Sequence, residues 1–149
     1  MRRAHHHSTT ETQPPGQPPQ PHKAKGQLTS QLGAVIAEFT GALGFAPITR
    51  LEGPVDLLRR DVTVDLLAVL REALTNVAQH AHAHSAEVEV VVAAGSVTLR
   101  VVDDGVGLAG ATTDGGVADL RRRAAWHGGR LTLQPGASGG TRLSWTVPL

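Results

Sequence analysis

Two stretches of strict alternation constrain this chain most. Between Ala86 and Ala94, Val88, Val90 and Val92 fall on one side; between Val97 and Val101, Val97, Leu99 and Val101 do the same. Gly95-Ser96 lies between the two runs. A period of two on either side of a turn signal predicts a β-hairpin with one buried face. Arg130 to Leu133 and Thr141 to Val147 flank Pro135-Gly136 and predict a second hairpin. Such faces need a cover, and three segments with helical spacing supply it. Leu28, Leu32, Val35, Ile36, Phe39 and Leu43 predict one helix, stopped at Gly44, with Thr29 and Ser30 as caps. Val64 to about His82 predicts the clearest helix, with Leu66, Leu70, Ala73, Leu74, Val77 and Ala81 in one sector. Val117 to His127 predicts a third, with Leu120 and Ala124 inward, Arg121, Arg122 and Arg123 mostly outward, and Gly128-Gly129 as its C-cap. Pro47 to Gly53 adds a short strand around Ile48 and Leu51. The expected fold is α/β, a two-layer sandwich with helices packed on one face of a mixed, mostly antiparallel sheet.

The domain is expected to span residues 27–149. Residues 1–26 contain five Pro and almost nothing apolar. That composition cannot bury enough surface to offset its ordering entropy, so a disordered arm or linker is expected. Hydrophobic residues make up 40% of the 149 and aromatics only 3%, so the core must be built from Val, Leu and Ala. The net charge is +1 with no basic stripe, which argues against a nucleic-acid partner. The chain has no Cys, and no apolar run approaches the ~20 residues that span a bilayer. A soluble, cytoplasmic protein without membrane contact is expected.

Four segments carry chemistry. Glu72, Asn76 and His80 recur every fourth residue on the long helix, on a shoulder of its apolar stripe. A carboxylate, an amide and an imidazole in a row suit the wall of a pocket, although a solvated shoulder gives the same pattern. Asp103 ends a buried strand and is followed by Gly105 and Gly107, where a ligand can approach the backbone closely; a plain Asp-Gly turn reads the same way. Gly115-Gly116 opens a helix whose free N–H groups suit phosphate, as would any flexible loop before a helix. Gly139-Gly140-Thr141 enters the last strand and alone reads as a turn.

Taken together and in this order, the four segments resemble the nucleotide-binding boxes of the Bergerat-fold ATPases. That superfamily includes sensor histidine kinases, type II topoisomerases, mismatch-repair ATPases and ATP-driven chaperones. Arg71-Glu72-Ala73-Leu74-Thr75-Asn76 to His80-Ala81 resembles the N box, and Asp103-Asp104-Gly105-Val106-Gly107 the first glycine box. Gly116 to Ala124 resembles the second glycine box, and Gly139-Gly140-Thr141 the terminal one. The wording is most similar to histidine kinases paired with two-domain DNA-binding regulators, including the haem-based redox sensors of actinobacteria. The resemblance implies ATP and Mg²⁺ as ligands. It implies Asn76 as the magnesium ligand, Glu72 as the group that polarises the nucleophile, and Asp103 as acceptor of the adenine amine. It implies Gly105, Gly107, Gly115 and Gly116 against the nucleotide, Thr141 as a supporting contact and His80 near phosphate.

The chain also departs from that pattern. Asp114 stands where many relatives have Gly, the lid between Gly107 and Gly116 is short, and Asp119 stands where relatives often have Asn. His5, His6, His7 and His22, the only histidines before the domain, lie in Pro-rich sequence unsuited to a helical phosphoacceptor hairpin. The expected activity is therefore that of a protein-histidine kinase catalytic domain, a fragment or trans-acting. It would serve a separate dimerisation domain and, through that, a response regulator, and would be monomeric in isolation. The alternatives are a non-catalytic nucleotide-dependent interaction module and a serine kinase of the anti-sigma type. A metal site at His80, His82 and His84 lacks a third ligand of Cys or carboxylate type.

Overall fold

The computed structural model describes residues 27–107, 116–137 and 139–149, with His80 and Ala81 by backbone alone. The expectations for residues 1–26, for Gly115 and Asp114, for the lid and for the His80 side chain lie outside the described residues.

Helix α1 (Gln27–Leu43) buries Leu28, Leu32, Val35 and Ile36. It ends at Gly44, whose φ of 81° lets its N–H reach the Thr40 carbonyl at 3.0 Å. Strand β1 (Ile48–Glu52) and a short 3₁₀ turn (Val55–Leu57) lead into helix α2 (Arg60–Asn76). Helix α2 begins four residues earlier than its periodicity predicts. Val62 extends the apolar stripe at 0% exposure, and Asp61, in the first turn, accepts the Val62 N–H on Oδ1 at 2.9 Å, on the end where the helix dipole favours a carboxylate. Leu66, Leu70, Ala73, Leu74 and Val77 are buried as the stripe predicts. After Asn76 the helix does not continue regularly: the backbone widens into a π turn, Val77–Ala81, and stops at His82 in the left-handed region.

Strands β2 (Ala86–Ala93) and β3 (Ser96–Asp103) form the first hairpin, with Val88 opposite Val101 and Val90 opposite Leu99. The turn sits on Ala94-Gly95, one residue earlier than expected, and both carry positive φ (52° and 74°). A two-residue hairpin matches strand twist best with that geometry. Helix α3 (Gly116–Trp126) is closed by a Schellman motif: the Gly129 N–H reaches the Ala124 carbonyl at 2.8 Å and the Gly128 N–H that of Ala125 at 2.9 Å. Strands β4 (Arg130–Pro135) and β5 (Thr141–Pro148) complete a five-stranded sheet of order β1-β2-β3-β5-β4, antiparallel except for β1 beside β2.

One face of the sheet faces the helices. Val88, Val90, Val97, Leu99, Val101, Leu143, Trp145 and Val147 pack against Leu66, Val69, Leu70, Leu74, Leu120 and Ala124. The other face is polar, with an Arg100–Glu89 ion pair at 2.9 Å and paired Thr98 and Thr146 hydroxyls at 3.1 Å. The architecture is the two-layer α/β sandwich that alternation and helical spacing predict. No helix among the described residues is long and apolar enough to cross a membrane.

Candidate functional site

Asp103 is in phase with Val97, Leu99 and Val101, so β3 carries its carboxylate to the helix-facing side at 7% exposure. It stands at the end of β3 beside the start of β5, where Val102 pairs with Arg142. Its Oδ1 accepts the Gly105 N–H at 2.9 Å. Burial pushes this carboxyl above the usual aspartate range; the N–H groups of Gly105 and Thr141 oppose the rise, and the charge of Asp104 adds to it. A carboxylate this buried is costly unless something donates to it.

Glycines surround that carboxylate. A Cβ on Gly140 would collide with the Asp103 carbonyl and lie 2.9 Å from its Oδ1, and one on Gly107 would lie 3.1 Å from the Gly140 carbonyl. Gly107, Gly139 and Gly140 have φ of 78°, 90° and 75°. The first and terminal glycine segments, more than thirty residues apart in sequence, thus form one cradle with Asp103, Gly105 and Thr141.

Asp104, one residue on, behaves oppositely. It points outward, and its Oδ1 accepts the N–H groups of His84 (2.8 Å) and Ser85 (2.9 Å), while Oδ2 accepts the Ser85 hydroxyl (3.0 Å). These donors hold its carboxyl below the usual range. The pairing ties the segment that leaves α2 to the end of β3. Sequence reading gave Asp104 no role of its own, and only its out-of-phase position was legible.

A second cluster joins α2 to α3. Glu72 and Asn76, half-buried and one turn apart on α2, line the same side of the helix. A Cβ on Gly116, the first residue of α3, would collide with Glu72 Oε1. The helix N-terminus therefore lies directly against that carboxylate. Among the expected site residues, Glu72 meets Gly116, while Asp103, Gly105, Gly107 and Thr141 gather around Gly140 of the terminal glycine segment. At the far end of the same helix pair, Asp65 accepts hydrogen bonds from Arg123 Nη1 at 2.7 Å and pairs with His127 Nε2 at 2.6 Å. Arg121 and Arg122 are exposed, as a mostly outward arginine run predicts, while Arg123 is turned inward because a buried carboxylate faces it from α2. The signal in the sequence was a charged residue at a core-facing position, between Val62 and Val69.

The residues present suit a purine nucleotide with a hard cation. A buried carboxylate matches an exocyclic amine, side-chain-free backbone admits a flat ring, and an eleven-residue helix offers N–H groups to phosphate. Asn76 would hold magnesium through its amide oxygen. No group of three or more His, Cys, Asp or Glu among the described residues is placed to hold a metal ion.

Comparison with known proteins identifies the family and the fold. Residues 61–149 match the family described as histidine kinase-, DNA gyrase B-, and HSP90-like ATPase. The chain is 25% identical over 107 residues to the sensor histidine kinase LnrJ of Bacillus subtilis, covering 72% of this chain and 27% of that protein. Among solved structures it is similar to the histidine kinase domain of a blue-light activated histidine kinase from Erythrobacter litoralis EL346. That likeness has a TM-score of 0.62 at 24% identity, covering 82% of this chain and 61% of that one. It is also similar to the ATP binding domain of PrrB from Mycobacterium tuberculosis, with a TM-score of 0.55 at 19% identity, covering 81% of this chain and 93% of that one. At such identities the structural likenesses show the fold, and none of these matches assigns a subfamily. The chain spans about a quarter of LnrJ. With 89 of its 149 residues in the family match, this chain belongs to the histidine kinase-, DNA gyrase B- and HSP90-like ATPases.

Proposed function

We propose that residues 27–149 form a catalytic domain that binds Mg-ATP and donates the γ-phosphoryl group to a histidine on a separate dimerisation domain, in cytoplasmic two-component signalling. The observation that carries this reading is Asp103: a carboxylate buried inside a glycine cradle with only backbone donors on it. It fits the amino group of adenine, and family membership makes ATP the first nucleotide to try. In this reading residues 1–26 are a linker or arm, the domain is monomeric by itself, and a response regulator takes the phosphoryl group next.

Each residue has a task. Asp103 accepts the adenine amine, with Thr141 beside it. Gly105, Gly107 and Gly140 let the ring lie on bare backbone, while Gly115 and Gly116 bring N–H groups and the helix dipole to the phosphates. His80 follows Asn76 by four residues, in the π turn, and by the family resemblance is the residue assigned near phosphate. Asn76 would hold magnesium through its amide oxygen, and the ion would neutralise phosphate charge when bound. Glu72 hydrogen-bonds the N–H of the incoming imidazole, so that its other nitrogen is better poised to attack Pγ. The N–P bond forms, the bond from Pγ to the bridging oxygen breaks, and ADP leaves.

Calorimetry with and without Mg²⁺, followed by incubation with labelled ATP and a separately supplied histidine hairpin, tests the reading. Label on the hairpin histidine is expected. Glu72→Gln should slow that transfer ~10²–10⁴-fold with nucleotide affinity within a few-fold. Label on a serine would point to the anti-sigma type, and tight binding without transfer to an interaction module. Absence of ATP binding would refute the site.

A further inference from the structure

Two helices that are antiparallel neighbours can be fixed in register by contacts at both ends. Helices α2 and α3 show this. At one end Gly116 abuts Glu72. At the other, Asp65 takes Arg123 Nη1 at 2.7 Å and His127 Nε2 at 2.6 Å, and Asp61 Oδ2 lies 3.9 Å from His127 Nδ1. The spacings match residue for residue: Asp65 and Glu72 are seven apart on α2, and Arg123 and Gly116 are seven apart on α3. Asp61 and Asp65 are four apart, as are His127 and Arg123. Seven residues of α-helix span about 10 Å.

The far end is built to stay put. The side chains of Asp65, His127 and Arg123 are 12%, 9% and 28% exposed. Arg123 is braced by Asp119, one turn back on its own helix, through Nε at 2.9 Å. Trp145 of β5 meets the His127 ring edge-on at 6.2 Å, and the Schellman end of α3 leaves no room for a Cβ on Gly129 beside the Thr146 carbonyl. Burial of this kind is weak evidence for net stability but constrains geometry, since each group has few alternative partners.

The geometry points to Asp65, Arg123 and His127 as positioning residues that set the register of α3 on α2, and so place the α3 N-terminus against Glu72 at the phosphate end of the site. This rests on the nucleotide reading for its functional consequence but not for its structural one. None of the three residues belongs to the proposed nucleotide contacts. Loosening them should leave the Asp103 cradle intact and degrade recognition of the β and γ phosphates.

The test uses the full chain, with Asp65→Asn, Arg123→Met and the conservative Arg123→Lys, all checked for folding by circular dichroism. Two quantities are read. The first is the preference for ATP over AMP, by NMR titration in Mg²⁺. Asp65→Asn and Arg123→Met should lower that preference about ten-fold, the loss expected when a charge-assisted contact to phosphate is misaligned, with AMP affinity within about two-fold; Arg123→Lys should restore part of it. The second, without nucleotide, is the amide resonances of Gly116 and Val117. They should shift in both disruptive variants and move back toward wild type in Arg123→Lys. Unchanged preference, a parallel loss of ATP and AMP affinity, or undisturbed Gly116 and Val117 amides in the disruptive variants would overturn the positioning role. A wild type that binds neither nucleotide would sink the nucleotide reading, while the amide shifts would still decide whether the far contacts set α3.

Discussion

Asp65 and Asp103 are the two buried charged side chains among the described residues, at 8% and 7% exposure, and they are buried for opposite reasons. Asp65 is surrounded by protein partners, an arginine and a histidine from α3. Asp103 has only backbone N–H groups of its own cradle, and burial holds its carboxyl above the usual range. A carboxylate satisfied by the protein is part of the scaffold. One that is desolvated and under-donated suits the outside donor proposed for it. Nearly equal exposure therefore covers two different surroundings, and the inventory of donors separates them.

The largest break in this comparison should come from Asp65→Ala. It strands Arg123 and His127 against the core, and loss of one partner from a buried pair costs about 3 kcal/mol, the low end of the usual range because Arg123 keeps Asp119 and some solvent. Urea unfolding should show it as a lower midpoint at unchanged slope. A change within about 0.5 kcal/mol would mean that the cluster is ornamental to stability.

Asp103→Asn should invert that result. Removing an under-donated charge should leave the free protein at least as stable, while affinity for ATP and ADP falls about ten- to a hundred-fold, the contribution of one charge-assisted hydrogen bond. Wild-type affinity in this variant would mean that the cradle is not where adenine binds.

How far the sequence discloses this pair follows from the reach of local pattern. Strand alternation put Asp103 in phase with Val97, Leu99 and Val101, so its inward direction and the outward direction of Asp104 were legible. The sheet and the core face of α2 were legible for the same reason. Asp65 could be seen as a charge on an apolar face, but its partners lie 58 and 62 residues away, beyond any local period. The parallel pairing of β1 was equally hidden, since five residues with an exposed Ile48 carry almost no alternation. The π turn after Asn76 breaks helical spacing without a Gly or Pro to announce it. Of the site, the glycine segments were legible as order along the chain. Their contact, Gly107 on Gly140, is a property of the fold.

Gly140→Ala sharpens the cradle side of the comparison. Its φ of 75° and the collision of a Cβ with the Asp103 carbonyl force backbone to move, which should cost about 1–3 kcal/mol. Because the same Cβ crowds Asp103 Oδ1, nucleotide affinity should fall with stability, unlike in either aspartate variant. Melting curves with and without ATP measure both, and an undiminished ATP-induced rise in melting temperature would count against the cradle.

The smallest effect is the most specific, because it reads a single proton. Asp103 is held above its ordinary value, so the folded state takes up its proton more readily than the unfolded state does. Its contribution to stability is fully present below the unfolded value and is lost as pH rises through the folded one. Asp104 is held below its ordinary value, so its contribution is present above the unfolded value and is lost as pH falls through the folded one. The stability difference between wild type and Asp103→Asn should therefore shift in favour of the variant as pH rises across the carboxylate range. The difference for Asp104→Asn should move in favour of the wild type over the same rise. Chemical denaturation at several pH values from acid to neutral would resolve the two slopes. If both had the same sign, the neighbouring carboxylates would not be partitioned between cradle and tether as their donors indicate.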